Sequence, residues 1–112
     1  MDVNDVLLSI QQELKRGTLV LAVLTQMDQP QYGYSLIQAL TEQGMEVEQN
    51  TLYPLLRRLE KQGLLESDWD VEGSRPRRYY KISNDGIKVR SLLMEDWKKL
   101  NEMMFKMMEG LK

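Results

Sequence analysis

The chain has 112 residues, no Cys, no His, 29% charged side chains and a formal net charge of −2. That length suits one folding unit with a real core, and the missing thiols and imidazoles exclude disulfides, Cys nucleophiles, Ser-His-Asp triads and His/Cys metal sites. The longest apolar run, Leu19 to Leu24, has six residues, far short of a membrane span.

Val3, Val6, Leu7, Ile10 and Leu14 recur at helical spacing and predict an amphipathic first helix. Gly17 is expected to interrupt it, and Thr18 to Met27 continues as a nearly all-apolar second piece that reads as a core helix. Asp28 to Gln31 reads as a loop around Pro30. Tyr32 to Gln43 reads as the second helix, with Tyr32, Leu36, Ile37 and Leu40 on one face and Gly44 beyond its end. Met45 and Val47 alternate with Glu46 and Glu48 as a short extended link.

A third helix is expected from about Gln49 to Gln62, with Leu52, Leu55, Leu56 and Leu59 as its buried stripe and Gly63 as its stop. Glu48 or Asn50 caps its start. A start near Asn50 puts Pro54 almost within the first turn, where proline is tolerated. Residues 64–83 read as a β-hairpin: a half-buried strand to Val71, a turn over Glu72 to Pro76, and a return from Arg77. Tyr79 and Tyr80 point to opposite faces, so one belongs to the core. Ser83 or Asn84 caps a final helix to about Leu111.

Three helices, a hairpin and a long helix make a mainly α fold with a β-hairpin: a winged helix-turn-helix with a long C-terminal dimerisation helix. Residues 1–83 are expected to be the winged-helix DNA-binding part with its N-terminal helix, and residues 84–112 the dimerisation helix, within one structural domain overall. The charge is partitioned to match. Residues 1–56 hold two basic and seven acidic side chains, whereas residues 57–81 hold seven basic and five acidic. Screening confines each charge to about 8–10 Å, so the local patch decides polyanion binding. In this fold the third helix enters the DNA major groove and the hairpin, or wing, lies against the backbone or minor groove. Arg57, Arg58 and Lys61 on the third helix and Ser74, Arg75, Arg77 and Arg78 on the wing are therefore candidate DNA contacts. The wing arginines are the foremost. Arg58 and Lys61 have a competing role as partners of Glu60 or Glu66.

Gln49, Asn50 and Thr51 begin the third helix, where their side chains either read base edges or cap. The Tyr53 hydroxyl either meets a phosphate or needs a partner in the core. Tyr32 and Tyr34 begin the second helix, one expected to pack and the other to meet a phosphate.

Tyr32-Gly33-Tyr34-Ser35-Leu36, then Thr51-Leu52-Tyr53-Pro54-Leu55-Leu56-Arg57-Arg58-Leu59-Glu60-Lys61-Gln62-Gly63-Leu64-Leu65, then Arg75-Pro76-Arg77-Arg78-Tyr79-Tyr80-Lys81-Ile82-Ser83 together resemble the PadR family of bacterial transcriptional regulators. The resemblance covers roughly Leu14 to Gly86. It implies a dimeric winged-helix repressor on a pseudo-palindromic operator, favours a phosphate contact for Tyr53, and accounts for Pro54. Glu48-Gln49-Asn50 depart from the Ser, Pro or Gly usual before the Thr-Leu-Tyr motif.

The final helix carries Val89, Leu93, Trp97, Leu100, Met104, Met107, Met108 and Leu111 at helical spacing. The winged helix needs only its start. The remainder predicts a two-fold homodimer, with Val6 and Ile10 of the first helix contributing. The resemblance is to the small PadR-like subgroup that includes a multidrug-binding repressor, which implies a planar hydrophobic effector between subunits against Val20, Leu24, Leu93, Trp97 and Asn101. The plainer reading of Trp97 and the methionines is dimer core.

Double-stranded DNA and a second copy of the chain are thus the expected partners. The chain lacks the basic start of a signal peptide, so a bacterial cytoplasmic protein, on the nucleoid when bound, is expected. No cofactor and no membrane partner are expected. A winged-helix protein-interaction module without DNA is the rival, favoured by the net charge of −2. An enzyme is not expected, because carboxylate pairs such as Glu95-Asp96 diverge on a helix.

Overall fold

The computed structural model describes residues 2–111. Helix α1 spans Val3–Thr25, capped by Asp2, whose Oδ1 accepts from the Asn4 backbone N at 2.9 Å. It runs straight through Gly17, where a break was predicted. Glycine costs a helix interior only about 1 kcal/mol relative to alanine, and the following turns are anchored by buried Leu19, Val23 and Leu24.

Strand β1, Gln31–Tyr32, occupies part of the predicted loop. Helix α2, Gly33–Glu42, follows with Tyr32 as its N-cap. Ser35 Oγ accepts from the Tyr32 backbone N at 3.0 Å. Gly44, at φ +96°, turns the chain out of the helix in the left-handed conformation. Met45 and Val47 form no strand but pack against the core.

Helix α3 spans Gln49–Lys61 with Glu48 as N-cap. This start places Pro54 in the second turn, not the first, so the carbonyl of Asn50 loses its helical donor. Asn50 is exposed, and solvent can take that donor's place. Strands β2, Leu65–Asp70, and β3, Arg77–Ile82, form the wing. They pair antiparallel from Leu65↔Ile82 to Asp70↔Arg77, and β1 pairs on the other side of β3, giving the order β1-β3-β2.

One core joins these elements. It holds Leu19, Val23 and Leu24 of α1, Met27 of the following link, Leu36 and Leu40 of α2, the four leucines of α3, Leu65 and Tyr80. Each of the fully buried leucines contributes roughly 1.5–3 kcal/mol of hydrophobic transfer.

Helix α4 spans Asn84–Met108. Ser83 fastens its start: Oγ accepts from the Gly86 backbone N at 2.9 Å and donates to the Gly63 carbonyl at 2.6 Å. A Cβ on Gly86 would collide with the Leu64 carbonyl, so only glycine lets this turn press on the α3–β2 corner. Arg90 then ties α4 to the end of α1, donating to the Leu24 carbonyl at 3.2 Å and to Asp28 at 2.7 Å. Leu93 is the last apolar side chain of α4 packed against the core. Among the described residues no helix is long and apolar enough to cross a membrane.

Candidate nucleic-acid interface

Helix α3 is two-faced. Its leucines fill the core, and Gln49, Asn50, Thr51, Arg57, Arg58 and Lys61 are exposed. Glu48, not Asn50, is the N-cap, and its carboxylate makes no capping hydrogen bond. Gln49, Asn50 and Thr51 instead occupy the first three helical positions. Arg58 and Lys61 lie in the last turn, where cations complement the helix dipole. Among the described residues, Arg57, Arg58, Lys61 and Arg75 have no carboxylate within ion-pairing reach.

The wing is different. Directly paired residues on neighbouring strands share a sheet face. One face holds Glu66 with Lys81, Asp68 with Tyr79, and Asp70 with Arg77; the other holds Ser67 with Tyr80 and Trp69 with Arg78. On the first face Arg77 meets Asp70 at 3.6 Å and Lys81 meets Glu66 at 3.8 Å. On the second, Arg78 reaches Glu60 of α3 at 2.9 Å.

Two sequence expectations change here. Glu60 and Glu66 are taken by Arg78 and Lys81, not by Arg58 or Lys61. Helical residues one or two apart do not face each other, so Glu60 turns away from Arg58 and Lys61 and toward the wing. Secondly, Arg77 and Arg78, ranked foremost as DNA contacts, have their charge matched within the subunit. Ser74 and Arg75 at the wing tip are exposed.

The tyrosines divide likewise. Tyr32 is not free for a phosphate: its hydroxyl donates to Asp70 Oδ2 at 2.5 Å. Its ring meets Tyr79 edge-on at 6.3 Å and carries the Arg77 guanidinium 4.3 Å from its centroid. That hydroxyl, with the Glu72 backbone N–H and the Arg77 charge, holds the Asp70 carboxyl below its ordinary value. The same bond, with partial burial, pushes the Tyr32 hydroxyl up. Tyr34 is exposed, and Tyr53 is half-buried with its ring over Gly33, where a Cβ would strike it. Tyr80 is the core member of its pair, and burial raises its hydroxyl's pKa.

Helix and wing share one surface. Tyr34, Tyr53, Arg57, Arg77 and Arg78 line one concavity, and Arg57, Arg58, Glu60, Lys61 and Arg78 line a second beside it. Arg57 and Arg78 belong to both.

The predicted effector site fares less well. Leu24 is fully buried in the subunit's own core and cannot line a cleft between subunits. Val20 and Leu93 are half-buried against that core. Trp97 is 44% exposed, and Asn101 is half-buried. The apolar stripe of α4 is open beyond Leu93: Leu100, Met104, Met107, Met108 and Leu111 are all exposed, as are Val6 and Ile10 of α1, while Val89 is half-buried.

Comparison with known proteins agrees with this geometry. The profile of the family described as "Transcriptional regulator PadR-like family" matches residues 20–91. The chain is similar to the crystal structure of a PadR family transcriptional regulator from Eggerthella lenta DSM 2243, at 46% identity and a TM-score of 0.90, covering 96% of each chain. A PadR-like transcription factor from Bacteroides fragilis superposes with a TM-score of 0.74 at 33% identity, over 88% of this chain and 98% of that one. Transcriptional regulator Rv3488 of Mycobacterium tuberculosis is 36% identical over 99 residues, 88% of this chain and 90% of that protein. These are regulators, not enzymes. The chain belongs to the PadR-like family of transcriptional regulators.

Proposed function

We propose that the protein is a homodimeric repressor that binds a pseudo-palindromic operator, with α3 in the major groove and the wing against the flanking backbone. The observation that carries this reading is the exposed face of α3. Gln49, Asn50 and Thr51 stand at its start, and Arg57, Arg58 and Lys61 follow without carboxylate partners among the described residues. Amide side chains at a helix start are suited to base edges, and unpaired cations to phosphates. Tyr34 and Tyr53 border the same concavity as Arg57, within reach of the same backbone.

Dimerisation would cover the exposed stripe of α4 and the start of α1. A row of large exposed apolar side chains along one helix marks an interaction site, and a two-fold pair would set the two α3 helices one DNA turn apart. In this arrangement residues 1–83 act as the reading head and residues 84–112 as the pairing helix. Trp97 lies on the paired surface, where a planar aromatic effector would meet it. To release DNA, such an effector must bind the released form more tightly.

Selection of bound duplexes from random sequence tests the reading. A palindromic consensus bound by a dimer in light scattering is the expected result. Failure to enrich any duplex, with a monomer at micromolar concentration, would leave a winged-helix interaction module. Quenching of Trp97 fluorescence by a planar cationic dye, lost in Trp97→Ala, is the result expected of an effector site.

A further inference from the structure

The cleft between α3 and the wing holds a carboxylate where the proposed ligand is an anion. Glu60 lines it together with Arg57, Arg58, Lys61 and Arg78. A negative group beside phosphates weakens binding, so its presence needs a reason other than affinity. Its hydrogen bonds supply one. Glu60 Oε1 accepts from Arg78 Nη2 at 2.9 Å, and Glu60 Oε2 accepts from the Ser67 hydroxyl. Arg78 Nε in turn donates to Ser67 Oγ at 3.1 Å. Three side chains from α3, β2 and β3 therefore close a ring. The ring occupies the Nε–Nη2 edge of the guanidinium, the fork that would otherwise grip a phosphate bidentately. Tyr80 and Trp69 hold the group from the side, their ring centroids 5.6 and 5.9 Å from Arg78 Cζ. Arg78 is 39% exposed and Glu60 28%, so both stand at the edge of the candidate interface.

We propose that Glu60 is a specificity-determining positioning residue: it pins Arg78 and the wing to α3 and keeps that guanidinium off the phosphate backbone. This rests on the DNA-binding reading above. A guanidinium free to swing would grip phosphates on any sequence, because phosphate contacts carry no sequence information. Held by Glu60, it leaves discrimination to the start of α3. The same ring fixes the angle between wing and helix, so both engage DNA in one register.

The test is the salt dependence of binding, by fluorescence anisotropy, to a mixed-sequence duplex and to the duplex recovered by selection. Glu60→Gln is expected to bind the mixed-sequence duplex more tightly and to steepen its log–log salt slope by about 0.9, one added phosphate contact. Affinity would then fall about threefold more between 50 and 200 mM salt than in the wild type. The preference for the selected duplex should drop. Arg78→Ala alone should leave the mixed-sequence slope unchanged, and added to Glu60→Gln it should abolish the gain. Ser67→Ala, which opens the ring without removing a charge, should move in the same direction by less. Thermal melts of each variant check that the fold persists.

The opposite pattern overturns the proposal: Arg78→Ala lowering the slope by about one contact while Glu60→Gln leaves it unmoved. Arg57→Ala keeps the two readings apart. If it lowers the slope, the DNA-binding reading stands whatever Glu60 does. If neither wild type nor variants show salt-dependent binding, both readings fall.

Discussion

Helix α3 and strand β3 each carry three cations. Those of β3, namely Arg77, Arg78 and Lys81, all stand within 4.0 Å of a carboxylate. Those of α3, namely Arg57, Arg58 and Lys61, have no such partner among the described residues. The difference follows from backbone geometry. A strand sets each side chain opposite one on its neighbour, and β2 offers Glu66 and Asp70 to β3. A helix turns its adjacent residues apart, so Glu60 cannot serve Arg58 or Lys61; Arg57, three residues before it, is at a pairing distance in sequence, but the Glu60 carboxylate is taken by Arg78 and Ser67 of the wing. The number of basic residues thus misleads about which segment presents positive charge to a ligand. The wing is electrically balanced and braced at two points, Tyr32–Asp70 on one face and Glu60–Ser67–Arg78 on the other. The three cations of α3 have neither a matching carboxylate nor a brace of their own among the described residues.

This contrast can be pressed from several directions. The largest effect is expected beneath α3. Leu56→Ala should cost about 2–5 kcal/mol by leaving a cavity at a fully buried position, whereas Val71→Ala at the exposed end of the wing should stay within about 0.5 kcal/mol. Denaturant unfolding compares the two. Next comes DNA affinity. Arg57→Ala should lower the salt slope by about 0.9, and Arg77→Ala by clearly less, because Asp70 already matches its charge. An equal loss in both variants would erase the distinction between helix and wing.

The smallest effect concerns acid. Asp70 is held below its ordinary carboxyl value of 3.8, first by the Tyr32 hydroxyl. A carboxyl lowered on folding lends stability that is complete above its unfolded value and fades as pH falls through its folded one. The stability difference between wild type and Asp70→Asn should therefore be constant near neutrality and shrink only below about pH 4. Thermal melts across an acid series measure it.

Much of this architecture was legible from residue spacing. The leucines of α3 and the glycines that end α2 and α3 need only local rules, and they placed helix and hairpin correctly. Misreadings arose where tertiary contacts decide. Gly17 looks like a break, but buried Leu19, Val23 and Leu24 hold the helix beyond it. Strand β1 is two residues long, too short to show a period, and forms because β3 offers Gln31 and Tyr32 an open edge at Tyr80 and Tyr79. The resemblance implies Leu24 at a site between subunits, yet its side chain is fully buried in the subunit's own core. Hardest to foresee was the partner of Glu60. Arg78 lies 18 residues away in sequence, and nothing in either segment alone joins them. Acidic alternation along β2 was the available hint that it neutralises Arg77 and Lys81 of β3.

The most direct measurement follows the side-chain Nε–Hε resonances of the arginines by NMR as isotope-labelled protein is titrated with duplex DNA. Arg57 and Arg58 should shift at the first additions, and Arg78, held by Ser67 and Glu60, should move little. Strong shifts confined to Arg77 and Arg78, with Arg57 and Arg58 unmoved, would contradict the division of labour between helix and wing.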